Sequence, residues 1–163
     1  MPKLEIERKF LIVHPSKTDL IGLKKCEMVQ TYLIGEQGEA RRVRKCIKEG
    51  ITSYIYTAKR HITAITRTEE EYSITEVEYN NLLKDKDNTR QTIHKTRYYI
   101  NKDNLIFELD CFKDKTKVAY LEVELASETQ HFTLPAFISV VKEVTHDMAY
   151  TNKAIAKQFP KEF

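Results

Sequence analysis

Charged and apolar residues alternate at the start of the chain, and this period of two constrains the fold most. Glu5, Glu7 and Lys9 form an E-x-E-x-K string within segment 4–12. Because a strand sends alternate side chains to opposite faces, the two carboxylates and the ammonium share one face and the intervening apolar residues share the other. The pattern therefore predicts a strand with one charged face and one apolar face.

The same spacing recurs along the chain, and each later strand carries mostly one sign of charge. The basic pairs are Arg42 and Arg44, and Lys95 and Arg97. Thr57 and Lys59 have the same spacing, but only Lys59 is charged. The acidic pairs are Glu69 and Glu71, Glu108 and Asp110, and Glu122 and Glu124. An ordinary sheet surface intersperses the two signs. Their separation into acidic and basic strands favours a functional charged face.

The apolar face of these strands indicates which side is covered. Its members are Leu4, Ile6, Phe10, Val43, Phe107, Leu109, Leu121, Val123 and Leu125. If helices or loops cover this face from outside, the charged face looks inward. An antiparallel barrel of about eight strands has an interior that holds one small ligand. Because charges in such an interior are costly to desolvate unless they meet opposite charges, metal ions or water, we expect the interior to be a site.

The predicted fold class is α+β, mainly β: an eight-stranded antiparallel β-barrel, or tunnel, with flanking helices. Strands are predicted at 3–13, 28–35, 39–48, 51–60, 67–74, 93–101, 104–112 and 117–126. The length suits a single domain over residues 1–163.

Three helical segments and one turn complete the predicted elements. Thr75 and Glu78 form a capping box that opens a short helix. A second helix follows Pro15-Ser16, and the tail from Pro135 onward is predicted to be helical. Segment 101–104 has the composition of a hairpin turn.

Composition excludes several classes of function. The three cysteines, Cys26, Cys46 and Cys111, have no C-x-x-C spacing, so neither a disulfide framework nor a zinc site is indicated. No apolar run has the length of a signal peptide or a membrane span, which predicts a cytoplasmic protein without a membrane partner. A net charge of +3, from basic residues spread along the chain, does not indicate a nucleic-acid partner.

The two signs of charge predict the chemistry of the ligand. The basic side chains that can surround an anion are Lys9, Arg42, Arg44, Lys59, Lys95 and Arg97. Guanidinium groups suit phosphate because they present paired donors in a plane, and this many cations implies a highly charged anion such as a triphosphate. Carboxylates facing the same ligand would repel it unless a divalent metal lies between them. Hard oxygen donors from Glu5, Glu7, Glu122 and Glu124 suit Mg²⁺ or Mn²⁺.

The chain resembles the CYTH family, also called triphosphate tunnel metalloenzymes. The matching segments, in order, are Glu5-Ile6-Glu7-Arg8-Lys9-Phe10-Leu11, Gln30-Thr31-Tyr32-Leu33, Arg42-Val43-Arg44, Thr57-Ala58-Lys59, Arg67-Thr68-Glu69-Glu70-Glu71-Tyr72, Lys95-Thr96-Arg97-Tyr98, Glu108-Leu109-Asp110 and Glu122-Val123-Glu124. Glu143-Val144-Thr145, followed by Asp147, Tyr150 and Asn152, is similar to the family's closing segment, which is helical. The resemblance covers almost the whole chain.

The resemblance implies roles for individual residues. Metal would be held by Glu5, Glu7, Glu122 and Glu124, with Asp110 as an additional metal or water contact. The residues implied in catalysis are Glu5, Glu7, Lys9, Glu69, Glu71 and Asp110. Three roles stay open for Glu69 and Glu71: orienting water, holding a second metal, or fixing the arginines. Water would attack a terminal phosphorus without a covalent enzyme intermediate.

Inorganic tripolyphosphate is the leading substrate, since a bare polyphosphate needs only charge and no residue set secures a purine. The family also includes class IV adenylyl cyclases, which make cyclic AMP and pyrophosphate from ATP, and thiamine triphosphatases. An alternative of another class is a non-catalytic module that binds polyphosphate. A small-molecule triphosphate is the expected partner, and the sequence leaves monomer and homodimer open.

Overall fold

The chain forms one antiparallel sheet that closes on itself. The computed structural model describes residues 2–63 and 65–163, and those residues form nine strands. They are β1 (Lys3–Val13), β2 (Lys24–Leu33), β3 (Glu39–Lys48), β4 (Ile51–His61), β5 (Thr66–Ile74), β6 (Ile93–Lys102), β7 (Leu105–Phe112), β8 (Val118–Glu124) and β9 (Val140–Glu143). The predicted mainly β fold with an eight-stranded antiparallel barrel is confirmed.

The barrel closes through β1. The strand order is β5-β4-β3-β2-β6-β7-β8-β1-β9, and an additional pairing joins β5 to β1. Lys3 to Ile6 pair with β5, whereas Phe10 to Ile12 pair with β9 farther along the same strand. From Glu7 to Val13, β1 also pairs with β8. The strand that carries the E-x-E-x-K string therefore has three neighbours and holds the barrel together.

The helices are short, and the last of them follows the final strand. They are α1 (Lys17–Leu20), α2 (Glu76–Leu82) and α3 (Asn152–Ile155), with two turns of 3-10 helix at Leu83–Asp85 and Met148–Tyr150. A capping box is present at Thr75 as predicted, since its hydroxyl accepts from the Glu78 amide at 3.2 Å and its own amide donates to the Glu78 carboxylate at 2.7 Å. Asp103 and Asn104 have φ of 51° and 62°, which confirms the predicted hairpin turn between β6 and β7.

The prediction of a helical tail from Pro135 was wrong. Segment 140–143 is β9, and helical structure returns only in short turns near Tyr150 and Ile155. Val140 and Val141 are β-branched, and they lie beside a stretch of β1 that β5 leaves unpaired, so pairing with β1 is favoured over helix formation.

The strand β2 begins at Lys24 rather than at residue 28, because its charged start hides the alternation. No helix within residues 2–63 and 65–163 is long and apolar enough to cross a membrane.

Two apolar layers hold the barrel, one outside and one inside. Outside, Phe10, Leu121 and Val123 pack under the segment that carries Phe132 and Phe137, so the outer cover here is a loop and not a helix. Inside, the inward-facing apolar residues Leu11, Tyr32, Ile93, Phe112 and Tyr120 lie toward one end of the barrel. The tail packs against them through what we call the C-terminal plug: Val144, Tyr150, Ile155, Ala156, Phe159 and Phe163.

We expect the interior aromatic cluster to carry a large part of the stability. Phe112 is 4% exposed, and its ring lies 5.4 Å from the rings of Tyr120 and Phe159, centre to centre. Phe112→Ala should lower the free energy of unfolding by about 3–5 kcal/mol, because it removes a buried ring from a packed cluster. Ile106→Ala is the control on the same strand, where the side chain is 55% exposed and the expected loss is below about 0.5 kcal/mol. Urea unfolding of both variants measures this, and equal losses would contradict the assignment.

Candidate active site

A cavity of about 530 Å³ opens inside the barrel, and charged side chains line it. Of the site residues predicted from the sequence, those that line the cavity are Glu5, Glu7, Lys9, Arg42, Arg44, Lys59, Glu69, Glu71, Arg97, Glu122 and Glu124. They come together because alternation sends each of them to the inner face of its strand. Lys95 and Asp110 are not among the described residues that line it.

The charges of the cavity are arranged in two halves. Around the barrel, β7, β8, β1 and β5 follow one another, and β4, β3, β2 and β6 form the other side. The first four strands carry the acidic pairs on their inner faces. Of the other four, β4, β3 and β6 carry the basic residues, and β2 has no basic pair that faces inward. The cavity therefore has an acidic half and a basic half.

Ion pairs link the two halves across the boundary between β5 and β4, and others form within the acidic half between β1 and β5. Lys59 Nζ lies 2.9 Å from a carboxylate oxygen of Glu5 and 3.2 Å from one of Glu69. Arg67 Nε donates to Glu5 at 2.7 Å, and its Nη2 pairs with Glu7. Burial opposes the ionisation of Glu5, but the attraction of Lys59 and Arg67 outweighs it and holds the pKa of this carboxyl well below its usual range. Glu5 is therefore an anion at neutral pH.

The two carboxylates of β5 differ in their surroundings. Glu71 accepts from Arg44 Nη2 at 2.6 Å and from the Thr57 hydroxyl at 3.1 Å, so it fixes the position of that guanidinium. Burial, together with the nearby Glu5 carboxylate, raises the pKa of Glu69 in spite of Lys59. Glu69 therefore takes up a proton more readily than an ordinary glutamate.

Lys9 lies at the border between the charged cavity and the apolar interior. Its Nζ is 3.2 Å from Glu122 Oε1 and 4.0 Å from the centre of the Tyr120 ring. Burial lowers the pKa of Lys9, and Glu122 partly offsets this. Glu124, on the same face of β8, accepts from Lys3 Nζ at 2.7 Å where both side chains are exposed.

Asp110 anchors two cations behind the cavity wall. Its carboxylate is 1% exposed, accepts from Lys95 Nζ at 2.6 Å, and accepts from Arg97 Nε and Nη2 at 2.7 and 2.8 Å. Burial opposes its charge, yet Arg97 and Lys95 keep its pKa well below the usual range. Neither side chain lines the cavity in the ligand-free protein, and the metal or water contact predicted for Asp110 and the substrate contact predicted for Lys95 stay predictions. Because each is enclosed by the other and by Arg97, they position that arginine.

Arg42 differs from the other predicted cations in lacking a carboxylate. It is buried on the inner face of β3, and within the described part of the chain it makes no ion pair with any Asp or Glu. Its Nε is buried and has no hydrogen-bond partner among the described residues. A buried guanidinium without a counter-charge is costly. The cavity therefore carries a positive charge that an anion would compensate.

The site contains residues that the sequence prediction did not assign. Arg67 and Glu108 line the cavity. Alternation had already placed Glu108 on the charged face with Asp110, and it would also have found Arg67, which shares an inner face with Glu69. Arg90 and Lys153 also line it, from the loop before β6 and from α3. No strand period marks residues outside strands, so the sequence held no comparable signal for these two.

The acidic half has donors of the type that a hard divalent cation prefers. Glu7 lies directly opposite Glu124, and Glu108 opposite Glu122, on neighbouring strands. Like charges at opposite positions destabilise a sheet unless a cation lies between them. Across residues 2–63 and 65–163, no three carboxylate, imidazole or thiol groups are already gathered as a metal site. The residue types fit Mg²⁺ or Mn²⁺, and such an ion would replace lysine and arginine partners.

A solved structure with the same fold and a related sequence decides the family. The inorganic triphosphatase NE1496 is 30% identical over 96% of this chain and 96% of its own, with a TM-score of 0.60. The chain belongs to the CYTH family. More distant structures share this fold: the PH1819 protein from Pyrococcus horikoshii OT3 is 19% identical over 76% of this chain and 80% of its own, with a TM-score of 0.56.

A putative adenylate cyclase from Bacillus halodurans also has this fold, at 21% identity over 78% of this chain and 83% of its own, with a TM-score of 0.53. No family model matches the sequence, and no curated protein matches it in a sequence search. The CYTH assignment therefore depends on the three-dimensional fold together with the identity to NE1496.

We expect Asp110→Asn to destabilise the protein. Removing this charge leaves Lys95 and Arg97 without the buried carboxylate between them, which should lower the free energy of unfolding by about 3–5 kcal/mol. Asp103→Asn is the control, because this carboxylate is exposed in a turn whose positive φ suits asparagine. Urea unfolding compares the two variants. Unchanged stability in Asp110→Asn would show that this carboxylate is not an anchor.

Stability should depend on pH through Lys95. Burial lowers the pKa of this ammonium group to about 7, against an ordinary value of 10.5. Above pH 7 the unfolded chain keeps this proton while the native protein gives it up, so the free energy of unfolding rises with pH, with a slope approaching about 1.4 kcal/mol per unit. This pH window ends near pH 8.5. Above it the thiols of Cys26 and Cys111 ionise in the unfolded chain but stay protonated in the native protein, because burial raises their pKa values, and this lowers the free energy of unfolding as the pH rises. Urea unfolding between pH 7 and 8.5 should show this slope, and Lys95→Met should abolish it; a slope that survives in the variant contradicts the assignment.

Proposed function

We propose that the protein is a metal-dependent triphosphatase and that inorganic tripolyphosphate is its leading substrate. The observation that carries this proposal is the buried guanidinium of Arg42, which has no carboxylate partner in the described chain and lies in a cavity lined by further cations. A chain of phosphates supplies the missing negative charge. The 30% identity to a protein named as an inorganic triphosphatase supports the same conclusion.

The basic half would bind the triphosphate. Arg42, Arg44 and Arg97 present planar pairs of donors, which match phosphate oxygens. Glu71 and Asp110 hold two of these guanidinium groups in place before the substrate arrives. Because phosphoryl transfer depends mainly on positioning and charge neutralisation, prior placement of the cations lowers the cost of reaching the transition state.

The acidic half would hold the metal. Glu122 and Glu124, with Glu5 and Glu7, supply the oxygen donors for Mg²⁺ or Mn²⁺. Held by these carboxylates, such an ion would supply positive charge to neutralise the phosphate oxygens. Lys59 and Arg67, which now pair with Glu5, would then be free to turn toward phosphate.

Glu69 is the best candidate to accept the proton of the attacking water. Its pKa is raised by burial and by Glu5, and Lys59 holds it at 3.2 Å. Water oxygen forms a bond to the terminal phosphorus, the bridging P–O bond breaks, and the proton passes to the carboxylate. The products are phosphate and pyrophosphate.

Adenylyl cyclase and thiamine triphosphatase activities are the alternatives within the same family. Cyclisation of ATP requires a nucleoside held so that its 3′-hydroxyl faces the α-phosphorus, whereas the observed cavity offers chiefly charge. A passive polyphosphate binder is the alternative of another class. Such a module gains nothing from carboxylates that face its ligand, so the acidic half favours an enzyme.

Phosphate release tests the proposal. Tripolyphosphate, ATP and thiamine triphosphate are assayed in parallel with Mg²⁺, Mn²⁺ or chelator, and the ATP reaction is also assayed for cyclic AMP. We expect metal-dependent release from tripolyphosphate above the other two. Cyclic AMP with pyrophosphate would transfer the assignment to a cyclase, and tight binding without turnover of any triphosphate would favour the binding module.

The variant Glu122→Gln with Glu124→Gln separates enzyme from binder. In an enzyme, loss of the two carboxylates should reduce metal-dependent turnover by at least about 100-fold. Binding of tripolyphosphate to the metal-free protein should stay equal or tighten, because two negative charges are gone. Glu27→Gln on the exposed face of β2 is the control, since its amide still accepts from Thr96. Undiminished turnover in the double variant would contradict the metal assignment.

A further inference from the structure

Three sulfur-containing side chains lie together inside the barrel and form what we call the sulfur cluster. Cys26 and Met28 are on the inner face of β2, and Cys46 is on the inner face of β3; they are 3%, 5% and 4% exposed. Met28 is directly opposite Cys46 in the sheet, and Cys26 is two residues before Met28 on the same face. None of these three is among the described residues that line the charged cavity. The cysteines have no C-x-x-C spacing in the sequence, yet the fold brings two thiols and a thioether together.

The sulfur cluster lies away from the C-terminal plug. Tyr32, which packs in the interior aromatic cluster beside the plug, is six residues beyond Cys26 on β2, which is about 20 Å along a strand. Ile55 and Tyr99 pack against the sulfur cluster, and both are half-buried. The three sulfur atoms are therefore enclosed, but they are close enough to the surface for a small ion to reach them.

The two thiols of the cluster are free and are neighbours. Burial, together with the neighbouring Cys46 thiol, raises the pKa of Cys26 to about 11, and this thiol donates to the Glu27 carbonyl at 3.6 Å. Diagonal neighbours on adjacent strands have Cα atoms about 7–8 Å apart, which is at or beyond the upper end of the range for a disulfide. A metal ion between two sulfur atoms spans a longer gap than an S–S bond does, so the diagonal placement favours an ion.

Two buried arginines make the surroundings favourable for thiolates. Arg97 is directly opposite Cys26 on β6, and Arg44 is the preceding inner residue to Cys46 on β3. Both arginines already pair with carboxylates, although Arg44 Nε is buried and has no hydrogen-bond partner in the described chain. A monovalent cation held by two thiolates carries one net negative charge, which nearby guanidinium groups stabilise.

We propose that Cys26, Met28 and Cys46 bind copper(I), a soft monovalent cation, through their three sulfur atoms. Thiolate and thioether ligands select Cu(I), whereas structural Zn²⁺ sites take four donors from cysteine and histidine. Among residues 2–63 and 65–163, no imidazole, carboxylate or further thiol completes a group of three with the two cysteines. The inference is independent of the proposed function, because it uses a different part of the barrel.

Binding changes no oxidation state. The two S–H bonds break, two Cu–S bonds form, and the two protons pass to solvent, while the thioether of Met28 donates a lone pair to the ion. Copper enters and stays as Cu(I). Because the thiols are protonated in the metal-free protein, each bound ion should release two protons.

Anaerobic titration with Cu(I), with bicinchoninate as the coloured competitor for the ion, tests the proposal. We expect one Cu(I) per chain and a new ultraviolet absorption from thiolate-to-copper charge transfer. Cys46→Ala should remove this absorption. Met28→Leu keeps the size and apolar character of the side chain but removes the donor, so the affinity for Cu(I) should fall at least about tenfold.

Cys111→Ser is the matched control. Cys111 is the remaining cysteine, it is half-buried, and alternation places it on the outer face of β7, so its loss should leave the affinity for Cu(I) unchanged. Circular dichroism melts of the metal-free variants check that each one folds. If Cys46→Ala does not fold, Met28→Leu still decides whether the thioether is a ligand.

X-ray absorption at the copper edge should show three sulfur donors and no nitrogen or oxygen donor. The site would be overturned if the protein failed to take Cu(I) from bicinchoninate, if Met28→Leu bound the ion as tightly as the unmodified protein, or if binding were lost in Cys111→Ser. Zn²⁺ titrated in the same way should bind more weakly, and equal affinity for the two ions would contradict a site selective for Cu(I).

Discussion

Compensation between buried charges is the interaction on which the rest of this structure depends. Glu5, Asp110 and Glu122 are buried inside a barrel, where an isolated carboxylate would be protonated or would unfold the protein. Each remains ionised because lysine or arginine from another strand lies within contact distance. Neutralising a charge in one half of the cavity therefore changes the other half as well.

This arrangement would let one cavity take both an anion and a divalent cation, as we propose. In the ligand-free protein, the basic and acidic halves neutralise each other through pairs such as Lys59 with Glu5 and Arg44 with Glu71. A phosphate chain and a metal ion inserted together would offer each half a new partner of opposite sign. The charged side chains are already removed from water before the ligands bind. Binding therefore exchanges one ion-pair partner for another and does not have to desolvate these side chains again.

Much of the fold and of the cavity was predictable from alternation alone, since a period of two assigns each residue to a face. Alternation places Glu5, Arg44 and Glu108 inward, and it would have placed Arg67 there too. Alternation does not show how deeply a side chain is buried. Asp110 has the same periodicity as Glu108, but it lies behind the residues that line the cavity, where Lys95 and Arg97 enclose it. Nor does it reach the tail, where β9 forms because β1 has a free edge and where the C-terminal plug is fixed by long-range packing.

The central claim is that the charged interior is a site for a polyphosphate with a divalent cation, and thermal unfolding with ligand tests it most directly. Tripolyphosphate should raise the melting temperature, and Mg²⁺ or Mn²⁺ should increase the shift beyond the sum of the separate effects. At one hundred times the dissociation constant, binding to the native state adds about 2.7 kcal/mol to the free energy of unfolding. An unchanged melting temperature with saturating tripolyphosphate, with metal and with chelator alike, would contradict the account.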